Sequence, residues 1–173
     1  MPWEVAPDEP RKIQEKIVRL GVGCERMEFD LSADELDRHY AVNLKGTTML
    51  TMEFIRRFKY RKGGRIINLT SGQSLGEMSQ EIVYALTKAA VETLTKTISQ
   101  EIAKKGITII AVNPGPTDTG WMDEELTALI LSKSPMGRVG TPRDTARLIA
   151  FLASEEAQWI IGQIIHSEGA FTR

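Results

Sequence analysis

Ser71, Tyr84 and Lys88 carry side chains that can move a proton to or from an oxygen atom, and their spacing lets them act together. A free tyrosine phenol titrates near pH 10, too high for efficient acid–base work at neutrality. An ammonium close by favours the phenolate, and the i, i+4 spacing of Tyr84 and Lys88 puts both on one face of a helix. A serine hydroxyl can hold a substrate oxygen while charge develops on it. Such a set suits proton transfer to or from a carbonyl or alcohol oxygen, and any accompanying hydride has to come from a cofactor, since no side chain carries one. Singly, each feature is ordinary: Tyr-x-x-x-Lys pairs are common in helices, and Asn113-Pro114-Gly115 alone reads as a turn.

The surrounding elements bring these residues together. Residues 65–69 read as a strand whose Ile66 and Ile67 point to burial on both faces, as in a parallel sheet. The longest uninterrupted helix is predicted over 82–105, with Val91, Leu94, Ile98 and Ile102 on its apolar face and Gly106 as its stop. The β-branched run 107–112 predicts a second buried strand ending at Asn113-Pro114-Gly115. Upstream, a helix from Pro10 to Leu20 is closed by Gly21, and 22–29 reads as a strand. A helical pattern then runs from Ala33 or Asp34 toward Phe58, long enough to require a bend or break. Thr141-Pro142-Arg143-Asp144 resembles a capping box, opening a helix that buries Ala146, Ile149 and Ala150 or Phe151; 162–165 is a last strand. Alternating strands and helices predict one α/β domain over 1–173 with a parallel sheet. Ligands of such sheets bind beyond the carboxyl ends of the strands, where Ser71, the Tyr84–Lys88 helix and Asn113-Pro114-Gly115 converge.

Composition narrows the function. The formal charge is -1, from 22 basic and 23 acidic residues in 173, which argues against a nucleic-acid partner. No apolar run approaches the roughly 18 residues of a membrane span, and residues 1–10 do not read as a signal peptide. The single cysteine, Cys24, suits a reducing compartment, so a cytoplasmic location is expected.

Ser71, twelve residues, Tyr84, three residues, Lys88 resembles the active-site signature of the short-chain dehydrogenases/reductases. The segment 40–46 is similar to the one that holds that family's catalytic asparagine, here Asn43, and 63–71 to the strand leading to its serine. Asn113-Pro114-Gly115 with Thr117 and Thr119 resembles the loop at the nicotinamide end of the cofactor. Residues 138–154 resemble the late helix of bacterial oxoacyl-carrier-protein reductases. Gly162-Gln163 and Gly169 match the last strand, although Glu168-Gly169-Ala170 replaces a more usual Asp-Gly-Gly.

The resemblance implies a Rossmann-like, doubly wound parallel sheet and an oxidoreductase that moves a hydride between NAD or NADP and a carbonyl or secondary alcohol, in the manner of a 3-oxoacyl-carrier-protein reductase. It implies Tyr84 as general acid or base, Lys88 as its activator and a ribose ligand, Ser71 as the carbonyl-orienting group and Asn43 as holder of a water in a proton relay. Pro114, Gly115, Thr117 and Thr119 would line the nicotinamide and phosphate side, and Asp30 would contact adenine; for Thr117 and Thr119, plain loop polarity is an equal reading. The region 121–136, with Trp121, Met122, Leu126 and Leu129, resembles a substrate lid and suggests an apolar substrate, unless those side chains simply pack as core. A homo-oligomer, dimer or tetramer, is also implied.

Parts of the family pattern are missing. No Gly-rich turn follows a first strand, although that turn normally lets backbone approach the pyrophosphate. Asp30 matches the end of the family's third strand, yet Asp34 belongs after its fourth, so a helix and a strand have dropped out between them. The first strand, first helix and second strand are also missing ahead of Met1, leaving the chain roughly 70–80 residues short of a domain near the upper end of the usual range. In a sheet of order 3-2-1-4-5-6-7 this predicts an incomplete fold whose fifth strand is an exposed edge. An inactive family member serving only as a subunit or interaction partner is the alternative reading.

Overall fold

The computed structural model describes residues 9–20 and 32–172, which fall in two compact units divided after Leu31. In the first unit, helix α1 spans Glu9–Arg19, with Lys16 and Arg19 in its last turn, where cations complement the helix dipole. The Gly21 stop, the strand expected over 22–29 and Asp30 lie outside the described residues.

The second unit opens with α2 (Ala33–His39), whose N-cap Ser32 accepts the Glu35 N–H through Oγ at 3.1 Å. The expected break follows: Tyr40–Gly46 winds as a π-helix before α3 (Thr47–Arg57) resumes the α pitch. Asn43 sits inside this wider turn, a local feature that recurs at functional sites. Strand β1 (Gly64–Leu69), helix α4 (Ile82–Ala103) and strand β2 (Ile107–Asn113) come next, with Gly106 turning the chain at φ 73°. Helices α5 (Glu124–Ser132) and α6 (Pro142–Ala153) precede β3 (Ile164–His166). The expected capping box is present: the Thr141 N–H and Oγ1–H both donate to Asp144 Oδ2, at 2.8 and 2.7 Å.

The three strands are parallel, in the order β1-β2-β3. All seven residues of β2 are buried. Ile107 and Ile109 pack on one face of the sheet with Ile98 and Ile102 of α4 and with Ile55 and Phe58. Ile110 and Val112 pack on the other with Leu148 and Leu152 of α6 and Ala157. Helices therefore cover both faces, as in a doubly wound sheet.

Two expectations need correction. In β1, Ile66 and Ile67 are only partly buried, because among the described residues no strand lies beyond β1. In α6, Thr145 and Leu152 are the buried residues and Leu148 and Ile149 are half-buried, whereas Ala146, Ala150 and Phe151 are exposed. The core-facing stripe is 145-148-152, anchored by Leu152 between Ile110 and Val112.

Candidate active site

Beyond the carboxyl ends of β1 and β2 lies a cavity of about 560 Å³. Ser71, Tyr84, Asn113, Pro114, Gly115 and Thr117 line it, so strand β1, helix α4 and the loop after β2 do converge. Ser71 follows β1 by two residues and is half-buried; its Oγ lies 4.0 Å from Met78 Sδ, a weak acceptor. Tyr84, in the first turn of α4, packs edge-on against His39 at 6.2 Å between ring centroids.

Lys88 lies one turn further along α4, its Nζ 5.5 Å from the Tyr84 ring centroid. Its ammonium donates to Leu69 O at 3.0 Å. The ladder explains why that carbonyl is available: the Gly64 and Thr70 N–H groups bond β2, so residues 65, 67 and 69 present theirs to the outer edge. Lys88 thus lines a different groove, between α3 and the free edge of β1, with Leu50, Thr51 and Phe54. The Tyr84–Lys88 pair stands between this groove and the cavity. Burial of Lys88 pushes its pKa below the ordinary lysine value.

Asn43 is drawn to the same helix from the π-helical turn, its Nδ2 donating to Thr87 Oγ1 at 3.1 Å and lying 3.4 Å from His39 Nδ1. It touches neither Lys88 nor the cavity through those bonds, but it adjoins the turn of α4 that carries both Tyr84 and Lys88.

The loop after β2 is held rigidly. Buried Asn113 accepts the Gly115 N–H through Oδ1 at 2.9 Å and donates through Nδ2 to Glu168 Oε2 at 2.9 Å. Gly115 has φ 66°, and a Cβ there would lie 2.3 Å from Glu168 Cβ, so the position requires glycine. Thr117 pairs with Gly140 across an isolated parallel bridge, and its Oγ1 lies 3.3 and 3.2 Å from the carbonyls of Pro114 and Gly115. Thr119 is exposed and does not line the cavity.

Of the four lid residues expected from sequence, Trp121 and Met122 line the cavity, while Leu126 and Leu129 do not; Ile130 takes their place. Met78, Phe171, Glu77, Glu81 and Lys133 complete the wall. Sequence reading missed these because they come from irregular turns and from a chain end more than 80 positions downstream of Tyr84, where periodicity carries no signal.

A family model described as enoyl-(acyl carrier protein) reductase matches residues 19–172. An uncharacterized oxidoreductase of Bacillus subtilis, YjdA, is 46% identical over 94% of this chain and 80% of its own length. The chain belongs to the short-chain dehydrogenase/reductase family. A 3-oxoacyl-[acyl-carrier-protein] reductase of Rickettsia felis, FabG, is 33% identical over 91% of this chain and 67% of its own length. Among solved structures, BdcA in complex with NADPH superposes with a TM-score of 0.76 at 26% identity, over 93% of this chain and 71% of that one. The family assignment makes the chain an NAD(P)-dependent oxidoreductase by class, with a Rossmann-like parallel sheet. The Bacillus alignment runs over 202 positions but uses 94% of this 173-residue chain, about 163 residues, so that relative carries about 39 residues with no counterpart here.

Proposed function

We propose that this protein interconverts a ketone or aldehyde with the corresponding alcohol, with Tyr84 moving the proton. The observation that carries this reading is that Ser71 and Tyr84 line one cavity with residues 113–117 while Lys88 stands behind the tyrosine ring. In reduction the Tyr84 hydroxyl gives its proton to the substrate oxygen; in oxidation the phenolate takes it back. Ser71 Oγ–H donates a hydrogen bond to the same oxygen, and the Lys88 charge stabilises the phenolate left behind. Asn43, whose Nδ2 donates to Thr87 Oγ1 beside Lys88, would hold a water of the proton relay behind the lysine.

The residues fit the nicotinamide end of NAD or NADP: a cavity beyond the strand ends, a loop whose Gly115 admits close backbone approach, and a hydroxyl–ammonium pair beside it. Tyr84, Lys88, Pro114, Gly115 and Thr117 would hold that end, and the cofactor when bound supplies the hydride. Thr119 sits at the loop's outer rim, and Asp30 is assigned to adenine from sequence alone. The substrate is a small, largely apolar carbonyl compound, matched to the wall of Met78, Trp121, Met122, Ile130 and Phe171. We read residues 1–173 as belonging to a single catalytic domain of this family, about 39 residues shorter internally than its Bacillus relative.

We also assign it to the cytoplasm, as a dimer or tetramer. No helix among the described residues is long and apolar enough to cross a membrane. Val42, Met49 and Leu86 on the helices, and Trp159 near the C-terminus at 94% exposure, offer apolar surface to a second copy. Light scattering on a sizing column reads the assembly directly.

A second reading, an inactive family member, is favoured by the internal shortfall of about 39 residues against the Bacillus relative. Fluorescence titration with NADH and NADPH separates the two: binding supports the enzyme, and no binding of either supports the inactive subunit. Where the enzyme is active, Tyr84→Phe lowers turnover about 10²–10⁴-fold and leaves cofactor affinity largely intact, since Lys88 and residues 114–117 still hold the nicotinamide end. Retained turnover in that variant overturns the role given to Tyr84.

A further inference from the structure

Glu92 is a carboxylate without a part in the proton path, yet it is only 7% exposed in the middle of α4. Burying an ionisable group costs free energy unless its oxygens find donors. Two donors meet Glu92 Oε1: Thr70 Oγ1–H at 3.0 Å and Gln73 Nε2–H at 2.7 Å. Gln73 Nε2 also lies 3.3 Å from Thr70 Oγ1, and Thr70 Oγ1 lies 3.3 Å from Lys88 O. The Thr70 N–H in turn bonds Val112 O at 2.9 Å.

The placement of these partners gives the carboxylate its meaning. Thr70 immediately precedes Ser71 and Gln73 follows it by two residues, so the two donors bracket the serine. Glu92 lies four residues beyond Lys88 and eight beyond Tyr84, on the same face of α4. The bonds therefore join the loop that carries Ser71 to the helix that carries Tyr84 and Lys88. Beyond this set, among the described residues, Ser71 Oγ has only Met78 Sδ at 4.0 Å to orient it.

We propose that Glu92 is a positioning residue that clamps the Ser71 loop to α4 and so sets the distance between the Ser71 hydroxyl and the Tyr84 phenol. This rests on the functional reading above, in which both hydroxyls meet one substrate oxygen. A misplacement of about 1 Å between such groups can cost about 100-fold in rate.

The test is a double-mutant cycle in turnover, with NADPH affinity measured alongside. Glu92→Met lowers kcat about 100-fold with Kd for NADPH unchanged, and Glu92→Gln, whose amide oxygen can accept both bonds, recovers most of that loss. In the Ser71→Ala background, Glu92→Met costs less than about twofold, because its effect passes through the serine. A full 100-fold loss in that background, or no loss in wild type, overturns the clamp. Where Glu92→Met does not fold, Gln73→Met, at a half-buried position, removes one donor and takes its place in the same cycle. Should Ser71→Ala itself leave turnover unchanged, or the parent chain show none, the functional reading falls. The clamp is then judged alone by amide hydrogen exchange: faster exchange at residues 71–74 in Glu92→Met supports it, and unchanged exchange overturns it.

Discussion

Strands β1 and β2 lie side by side, run parallel and carry the two halves of the site at their carboxyl ends, yet they are held by different means. Strand β2 is flanked by β1 and β3 and covered on both faces, and every one of its residues is buried. Among the described residues strand β1 has a neighbour on one side only, and Leu69, its last residue, is 46% exposed. Where backbone pairing stops, side chains take over. Asn68 Nδ2 donates to Thr95 Oγ1 at 3.2 Å, Lys88 Nζ to Leu69 O at 3.0 Å, and Thr70 to Glu92. All three partners belong to α4. The half of the site assigned to the proton chemistry thus depends on one helix, and the half assigned to the cofactor depends on the sheet.

The largest effect expected from this contrast is on stability. Ile110 is fully buried in β2 between Val112, Leu152 and Ala157, so Ile110→Ala removes packing that cannot reform, at about 2–5 kcal/mol. Leu69→Ala at the free edge of β1 costs less than about 1 kcal/mol, since nearly half of that side chain already meets solvent. Urea midpoints of the two variants measure the difference. Equal losses would mean that the outer edge of β1 is covered in solution.

Much of this arrangement is legible in the sequence. The β-branched run Ile107-Thr108-Ile109-Ile110 announces a strand buried on both faces, and the Ser71, Tyr84, Lys88 spacing locates the chemistry. The motifs that follow one another closely between Asp30 and Asp34 also predict an edge at β1, and among the described residues no strand lies beyond it. What stays hidden is set by three-dimensional register. Period alone places Ala146 and either Ala150 or Phe151 on the inner face of α6, but the packing of Leu152 into the Ile110–Val112 cluster turns all three out. Glu92 has no role assigned from sequence, and only the structure shows that Thr70 and Gln73 reach it. Lys88 reads as the activator of Tyr84 and a ribose ligand, and no pattern records its bond to Leu69 O.

A smaller effect sharpens the comparison from the well-held side. The sheet half contains one strained residue: Ala170 has φ 57°, the one positive φ outside glycine among the described residues. It follows Glu168, which anchors Asn113, and Gly169, also at positive φ. A residue with a Cβ pays roughly 1–2 kcal/mol to hold that conformation, and glycine does not. Ala170→Gly should therefore raise stability by about 1 kcal/mol, less the entropy glycine adds to the unfolded chain, with no loss of cofactor affinity. A thermal melt that is unchanged or lower would show that the turn is not strained in solution.

The smallest effect separates the two halves by pH. Lys88 is the titratable group that bonds the outer edge of β1, at Leu69 O, and burial lowers its pKa in the folded state. Unfolded, it titrates near the ordinary value of about 10.4. Between the lowered pKa and that value the unfolded chain binds more protons at this site than the folded one does, so stability rises with pH across the interval. Below the lowered pKa both states are protonated, and the folded state bears the cost of a desolvated charge, offset in part by the bond to Leu69 O. Lys88→Met has no such group, so its stability relative to wild type is best at neutral pH and falls behind as pH climbs toward 10. Urea midpoints of both proteins from pH 7 to pH 10 measure this. A difference that stays constant over that range would mean that Lys88 is as well solvated in the folded protein as in the unfolded chain, and that the edge of β1 is held by a hydrogen bond that costs nothing to form.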